Sequence, residues 1–167
     1  MTDGPPPRPS VRTGIGYDSH RFADGRPLVL GGQTIPYGQG LVGHSDADAV
    51  AHALTDAILG AAAAGDIGQH FPDTDPRWAG ANSLALLTAA HAIVRARGYR
   101  FVQGDVTIIA QAPKLGPYLP AMASSLAGAL EVSPDMIGLK AKTNEGMGFL
   151  GRGEGIAAIA VATLEAS

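Results

Sequence analysis

Residues 155–164 read GIAAIAVATL, apolar at nearly every position. A strand of this composition has no face made for water and belongs inside a sheet that is covered on both sides. Outward from it, residues 137–143 (IGLKAKT) and 105–110 (DVTIIA) read as further strands, the second of them a buried one. Residues 12–20 (RTGIGYDSH) read as a glycine-interrupted strand, and 28–36 (LVLGGQTIP) as a hairpin around Gly31-Gly32, a pair that accepts positive φ. Three helical segments separate these strands. The first follows His44-Ser45, with Ser45 the expected N-cap and Asp46 and Asp48 in the first turn, and runs through AVAHALTDAILGAAAA to stop near Gly65. The second covers about Ser83–Arg97 and ends at Gly98; the third covers Tyr118–Leu130 behind Pro117.

Strands joined through helical crossovers give an α+β fold, an α/β sandwich in which a mixed sheet is covered by helices on one face. The other face of the sheet then needs cover. A homo-oligomer that packs sheets against each other supplies it better than a second helical layer.

The remaining composition narrows the chemistry. At 167 residues the chain makes one domain. Residues 1–10 (MTDGPPPRPS) hold four of the twelve prolines and read as a disordered tail, leaving 11–167 as a single catalytic domain. A net charge of −3 gives no global basic field for nucleic acid or an anionic membrane. With no cysteine, a metal site must use His and carboxylates. No signal-peptide core and no apolar run of spanning length is found, so a cytoplasmic location is expected.

Asp18 and His20 are one residue apart on a strand, so their side chains share a face. His52 lies on the first helix, with Asp48 and Asp56 one turn away on either side and expected to orient its imidazole. Two His and one carboxylate leave open the fourth position that a catalytic zinc keeps. A D-x-H is equally compatible with an ordinary turn and a surface histidine. His70 and His91 offer no convincing fourth ligand; His91 reads as structural.

Other segments also carry two readings. His44–Asp48 is a helix entrance whose free N–H groups suit an anion, or an ordinary cap. Asp66–Gly68 and Phe71–Asp75 are solvated acidic turns, or bind sugar hydroxyls. Ala112–Pro117 is a rigid strand–helix connector, or reads a base edge. Lys142–Gly146 and Gly151–Gly155 are hairpin turns, or hold phosphate and Mg²⁺. There is no nucleophile elbow, P-loop or dinucleotide fingerprint.

In order and spacing, GIGYDSHRF (14–22), LVGHSDADAVAHALTDAILGAAAAGDIGQHFPDTDP (41–76), DVTIIAQAPKLGPYLPAM (105–122) and KAKTNEGMGFLGRGEGIAAIAVA (140–162) resemble the 2-C-methyl-D-erythritol 2,4-cyclodiphosphate synthase family. The resemblance runs from about Arg12 to Leu164. It implies Zn²⁺ on Asp18, His20 and His52, and a second cation, Mg²⁺ or Mn²⁺, on Glu145 and the substrate phosphates. It implies His44 and Thr143 as catalytic, stabilising the transition state. His44 and Ser45 would contact the methylerythritol phosphate and Ser19 would bind substrate, while Asp66, Ile67, Gly68, Phe71, Asp73 and Asp75 would line the pocket, Asp66 as a ribose or polyol contact. Ala110, Pro113, Lys114, Leu115 and Gly116 would take the cytosine through the backbone. Lys142, Asn144, Phe149 and Arg152 would complete the substrate site.

The implied partners are a cytidine diphosphate-linked small molecule and two further copies of the chain, in a homotrimer with active sites at subunit interfaces. Neither nucleic acid nor a membrane is implied. The implied reaction is attack of the substrate's own 2-phosphate on its β-phosphorus, with release of CMP. The chain departs from many relatives in reading Lys142-Thr143-Asn144 where they have a run of threonines, and the proline-rich tail has no counterpart role. A metal-dependent phosphohydrolase and a trimeric nucleotide-binding module with a structural metal are the rival readings.

Overall fold

The structure is a computed structural model that describes residues 9–167. Three long strands form its centre: β1 (Val11–Ala23), β7 (Gly155–Ala166) and β5 (Tyr99–Ile109), each antiparallel to its neighbour. β6 (Ile137–Lys142) adds parallel to β5, and the short β4 (Gly40–Leu41) pairs with the end of β1, giving a mixed five-stranded sheet. A separate hairpin joins β2 (Leu28–Leu30) to β3 (Gln33–Ile35) through Gly31 and Gly32, both at positive φ. Helices α1 (Ala49–Ala61), α3 (Ser83–Ala96) and α4 (Leu119–Ala129) form the covering layer; α2 (Ile67–His70) and α5 (Gly148–Gly151) are single turns. The α+β architecture expected from the sequence is therefore observed. Among the described residues no helix is long and apolar enough to cross a membrane.

The strands are longer than their apolar runs suggest. β1 and β5 extend through charged residues because backbone pairing with β7 continues past them. Of the expected tail, residues 1–8 lie outside the described residues. Ser10 is already tied in: its carbonyl accepts from the Ala166 N–H at 2.7 Å.

Gly14 and Gly16 set the distance between β1 and α1. A Cβ on either would lie 2.1 Å from the Ala57 carbonyl oxygen or 1.9 Å from that of Ala53, so only bare backbone admits the helix this close. The small residues Ala53, Ala57 and Ala61 on the facing side of α1 complete the fit, and all are buried. This close approach lets a side chain on α1 reach those on β1.

The helix-covered face of the sheet is alanine- and leucine-rich, with Ala158, Ala160, Ala162 and Leu164 of β7 fully buried. The opposite face is bare. Ile15 is 69% exposed there and Tyr17 55%, opposite Val161 and Ile159 of β7. The uncovered face is thus apolar, as the reading of residues 155–164 requires.

One expectation fails at the entrance of α1. The N-cap is Asp48, not Ser45. Ala47 adopts φ 59°, so the chain turns sharply before the helix, and Asp46 and Asp48 point to different partners. The Asp48 carboxylate accepts from Val50 and Ala51 at 3.1 Å each, and also from Gly31 at 2.8 Å and Gly32 at 2.7 Å. It pins the hairpin to the helix and does not orient His52. Burial pushes its carboxyl upward, opposed by these backbone donors.

Candidate metal centre and substrate cavities

β1 delivers Asp18 and His20 on its helix-facing side, and α1 delivers His52 between them. The Asp18 Oδ2 atom lies 2.8 Å from His20 Nε2 and 3.1 Å from His52 Nδ1, and the two imidazole nitrogens are 3.3 Å apart. One ligand atom from each residue falls within 4.8 Å of the others, which makes this the one such His and carboxylate group among the described residues. Two imidazole nitrogens and a carboxylate oxygen turned toward each other fit a divalent cation with a position left free.

The electrostatics suit that role. Burial works against ionising Asp18, yet hydrogen bonds from both histidines more than offset it and hold the carboxyl far below its ordinary range. Burial likewise opposes protonation of His20, but Asp18 raises its pKa above the usual histidine value. Asp18 and His20, which share protons this closely, are placed to exchange them for a cation. His20 Nδ1 donates to the Val42 carbonyl at 2.7 Å, because a carbonyl only accepts; Nε2 is then the nitrogen that faces Asp18 and the cluster.

His52 is not oriented as its neighbours on the helix suggest. Asp48 is occupied at the hairpin, and Asp56 accepts from the Ile67 N–H at 2.7 Å, anchoring α2 to α1. The outer nitrogen of His52 instead meets Ser83 Oγ at 2.8 Å and Ser45 Oγ at 3.1 Å. Ser83 belongs to a distant helix, and no spacing in the sequence joins it to His52.

A cavity of about 330 Å³ opens beside the cluster, lined by His20, His44, Ser45, His52, Ile67, Gly68, Phe71 and Asp73, and also by Pro72, Trp78 and Leu86. Pro72 lies within the Phe71–Asp75 segment singled out from the sequence, whereas Trp78 and Leu86 were missed by the sequence reading. Trp78, the only tryptophan of the chain, packs edge-on against Phe71 with ring centroids 5.1 Å apart. Its rarity was the one available signal. Asp66 and Asp75 cap local turns: Asp66 accepts from Gln69, and Asp75 accepts from Arg77 with an ion pair at 2.6 Å.

A second cavity of about 370 Å³ is lined by Ala110, Pro113, Lys114, Leu115, Gly116, Lys142 and Thr143, together with Gln111, Pro117, Leu119 and Ala141. It shares no lining residue with the first. Beside it, Thr143 Oγ1 donates to Glu145 Oε1 at 3.2 Å and accepts from the Glu145 N–H at 3.3 Å. Glu145 is exposed and holds φ 52°. Asn144 spends an amide donor on the Met147 carbonyl at 2.8 Å. Ser19 and Phe149 line a third concavity with His20, Arg21, Glu154 and Gly155, and Arg152 pairs with Glu154 at 2.6 Å. Within one chain, then, His44 lines the metal-side cavity and Thr143 the other.

The YgbB family profile matches residues 11–165. The 2-C-methyl-D-erythritol 2,4-cyclodiphosphate synthase of Dechloromonas aromatica is 58% identical over 156 residues, covering 93% of this chain and 98% of that one. The synthase of the same name from Laribacter hongkongensis is 59% identical over 156 residues, covering 93% and 96%. Among solved structures, 2C-methyl-D-erythritol-2,4-cyclodiphosphate synthase in its CDP-bound form matches with a TM-score of 0.85 at 45% identity, covering 92% of this chain and all of that one.

Proposed function

The chain belongs to the YgbB family, and from that premise we propose that it converts 4-diphosphocytidyl-2-C-methyl-D-erythritol 2-phosphate to 2-C-methyl-D-erythritol 2,4-cyclodiphosphate and CMP. An oxygen of the 2-phosphate attacks the β-phosphorus, the bond from that phosphorus to the bridging oxygen breaks, and the electron pair leaves with CMP. The protein acts in the cytoplasm as one catalytic domain, residues 11–167. The observation that carries the reading is the convergence of Asp18, His20 and His52 beside a cavity, in a chain more than half identical to synthases of this name.

Because the nucleophile is part of the substrate, the protein's task is to fold it in line and to offset charge; a well-held intramolecular geometry is worth about 7–11 kcal/mol. Asp18, His20 and His52 would hold Zn²⁺, and Glu145 would hold Mg²⁺ or Mn²⁺. Cations bound there would polarise phosphate oxygens and offset their charge in an acidic protein. His44 and Ser45 bind the methylerythritol phosphate region at the entrance of α1, while Phe71, Trp78 and Leu86 exclude water from one wall of the same cavity. The loop through Pro113–Gly116 takes the cytosine, and Thr143 with Lys142 faces the phosphates.

The separation of the two cavities within one chain supports a site assembled between copies. The bare apolar face around Ile15 and Val161 supports a homotrimer as the assembly. A ³¹P NMR assay with zinc-loaded protein, Mg²⁺ and the cytidine diphosphate substrate tests the reaction. CMP with the coupled pair of a cyclic diphosphate is expected. Linear phosphates alone would make the protein a hydrolase, and full activity at monomeric mass would defeat the shared site.

A further inference from the structure

The turn that presents His44 is held by a residue that the reaction as described does not use. Arg26, in the connection between β1 and β2, is half-buried. Its guanidinium donates from Nη1 to the Gly43 carbonyl at 2.9 Å and from Nη2 to the Ser45 carbonyl at 2.8 Å. The carbonyl between them, that of His44, accepts from the Gly80 N–H at 2.9 Å, and the Asp46 N–H donates to the Ala81 carbonyl at 3.1 Å. We propose that Arg26 is a positioning residue for the reaction, whose two-pronged grip on the carbonyls either side of His44 holds the imidazole at the substrate.

A peptide unit is rigid, so holding its carbonyl holds its plane. The two planes that flank the His44 Cα carry the Gly43 and His44 carbonyls, one held by Arg26 and the other by Gly80. With both planes held, the direction in which the His44 Cα–Cβ bond leaves the chain is set. The side chain has no other support. It is exposed, lines the metal-side cavity, and makes no hydrogen bond or ion pair with any described residue. An imidazole without partners is only as well placed as the backbone that carries it.

Arg26 suits this task in shape and in charge. Its planar fork donates along two fixed directions, which a lysine ammonium on a flexible stem does not reproduce. Among the described residues no carboxylate pairs with it; Asp24, two residues away, accepts from Gln39 at 3.0 Å instead. The backbone behind the fork is closely seated, since a Cβ on Gly40 would lie 2.4 Å from the Arg26 carbonyl oxygen. A residue that only tied the β1–β2 connection to the protein would add stability and leave turnover alone.

This role presupposes the proposed cyclisation with His44 taking part in it, and the test keeps the two apart. Arg26→Lys retains the charge and is compared with wild type by steady-state kinetics, zinc content and amide hydrogen exchange. The kcat should fall by about 10–100-fold, as for a misplacement of about 1 Å, with KM changed less than about threefold. Zinc content should be unchanged, and the Gly80 and Asp46 amides should exchange about tenfold faster. In a His44→Ala background the same substitution should lower kcat no further. Wild-type kcat in Arg26→Lys would overturn the proposal even if the melting temperature dropped, because a merely structural tie moves only the latter. So would unchanged exchange at Gly80 and Asp46, a full additional loss in the His44→Ala background, or loss of zinc, which would put the effect at the metal ligands. Should Arg26→Lys not fold, the same measurements on Arg26→Gln decide. A wild type that forms no cyclic diphosphate would sink the proposed reaction, while amide exchange would still judge the clamp.

Discussion

Around His52, polar atoms are held from several elements at once: Asp18 and His20 from β1, Ser45 from the turn before α1, and Ser83 from α3. Around Glu145, the partners are mostly within three residues, Thr143 for its own side chain and Met147 for Asn144, with Gln111 the one distant contact, to Gly146. The first region is half-buried and braced across the fold; the second is an exposed turn. Three ligands must meet at one point before a cation arrives, and only crossing elements can hold them there. The exposed turn needs no such bracing if its partners are the substrate and another copy of the chain.

The hardest blow to this contrast is His52→Ala. Loss of one of three ligands should remove zinc and lower turnover on the order of a thousandfold, several kcal/mol of charge stabilisation, with metal content and product formation measured together. Retention of both would dissolve the braced centre as a functional unit.

Asp48→Ala tests the bracing without touching a ligand. It leaves the N–H groups of Gly31 and Gly32 without their acceptor and removes the cap of α1. About 3 kcal/mol of stability should be lost, read from denaturant unfolding. A loss under about 1 kcal/mol would mean that water replaces the carboxylate.

Glu145→Gln addresses the exposed region. Turnover should fall by about tenfold to a hundredfold and require more Mg²⁺, with zinc content unchanged, as expected where a local turn supplies one ligand and the substrate the rest. An unaltered Mg²⁺ requirement would remove Glu145 from the second cation.

The smallest effect is a pH signature of the metal-free protein. His20 is raised by Asp18 in the folded state, so its contribution is complete below its ordinary value of 6.5 and is lost as pH rises through the folded value. Asp18 is lowered, so its contribution is complete above its ordinary value of 3.8 and is lost as pH falls through the folded value. The melting-temperature difference between wild type and Asp18→Asn, both metal-free, should peak between 3.8 and 6.5 and shrink at higher pH. A difference that is flat with pH would mean that Asp18 and His20 do not share protons.

The D-x-H spacing was legible because a strand repeats every two residues, and the α3 span because Gly98 marks its end; α1 stops at Ala61, short of Gly65, with Ala63 taking the left-handed turn at φ 52°. The cap of α1 was misread for an equally physical reason. Ser45, Asp46 and Asp48 all have capping side chains, and only the left-handed turn at Ala47 selects among them. Asp48 and Asp56 have the right helical spacing to serve His52, but both are taken by backbone N–H groups of other segments.

By itself, then, the sequence determined most of the strands and helices, the apolar final strand that asks for cover, and the choice of Asp18, His20 and His52 as a group that could hold a metal ion, since these are written in local periodicity and residue chemistry. Only the tertiary structure decided that Gly14 and Gly16 bring α1 against β1, that Ser83 stands behind His52, and that the metal cavity and the Lys114–Thr143 cavity are separate in one chain. Those are distances between segments far apart along the chain, fixed by packing and not by any local pattern.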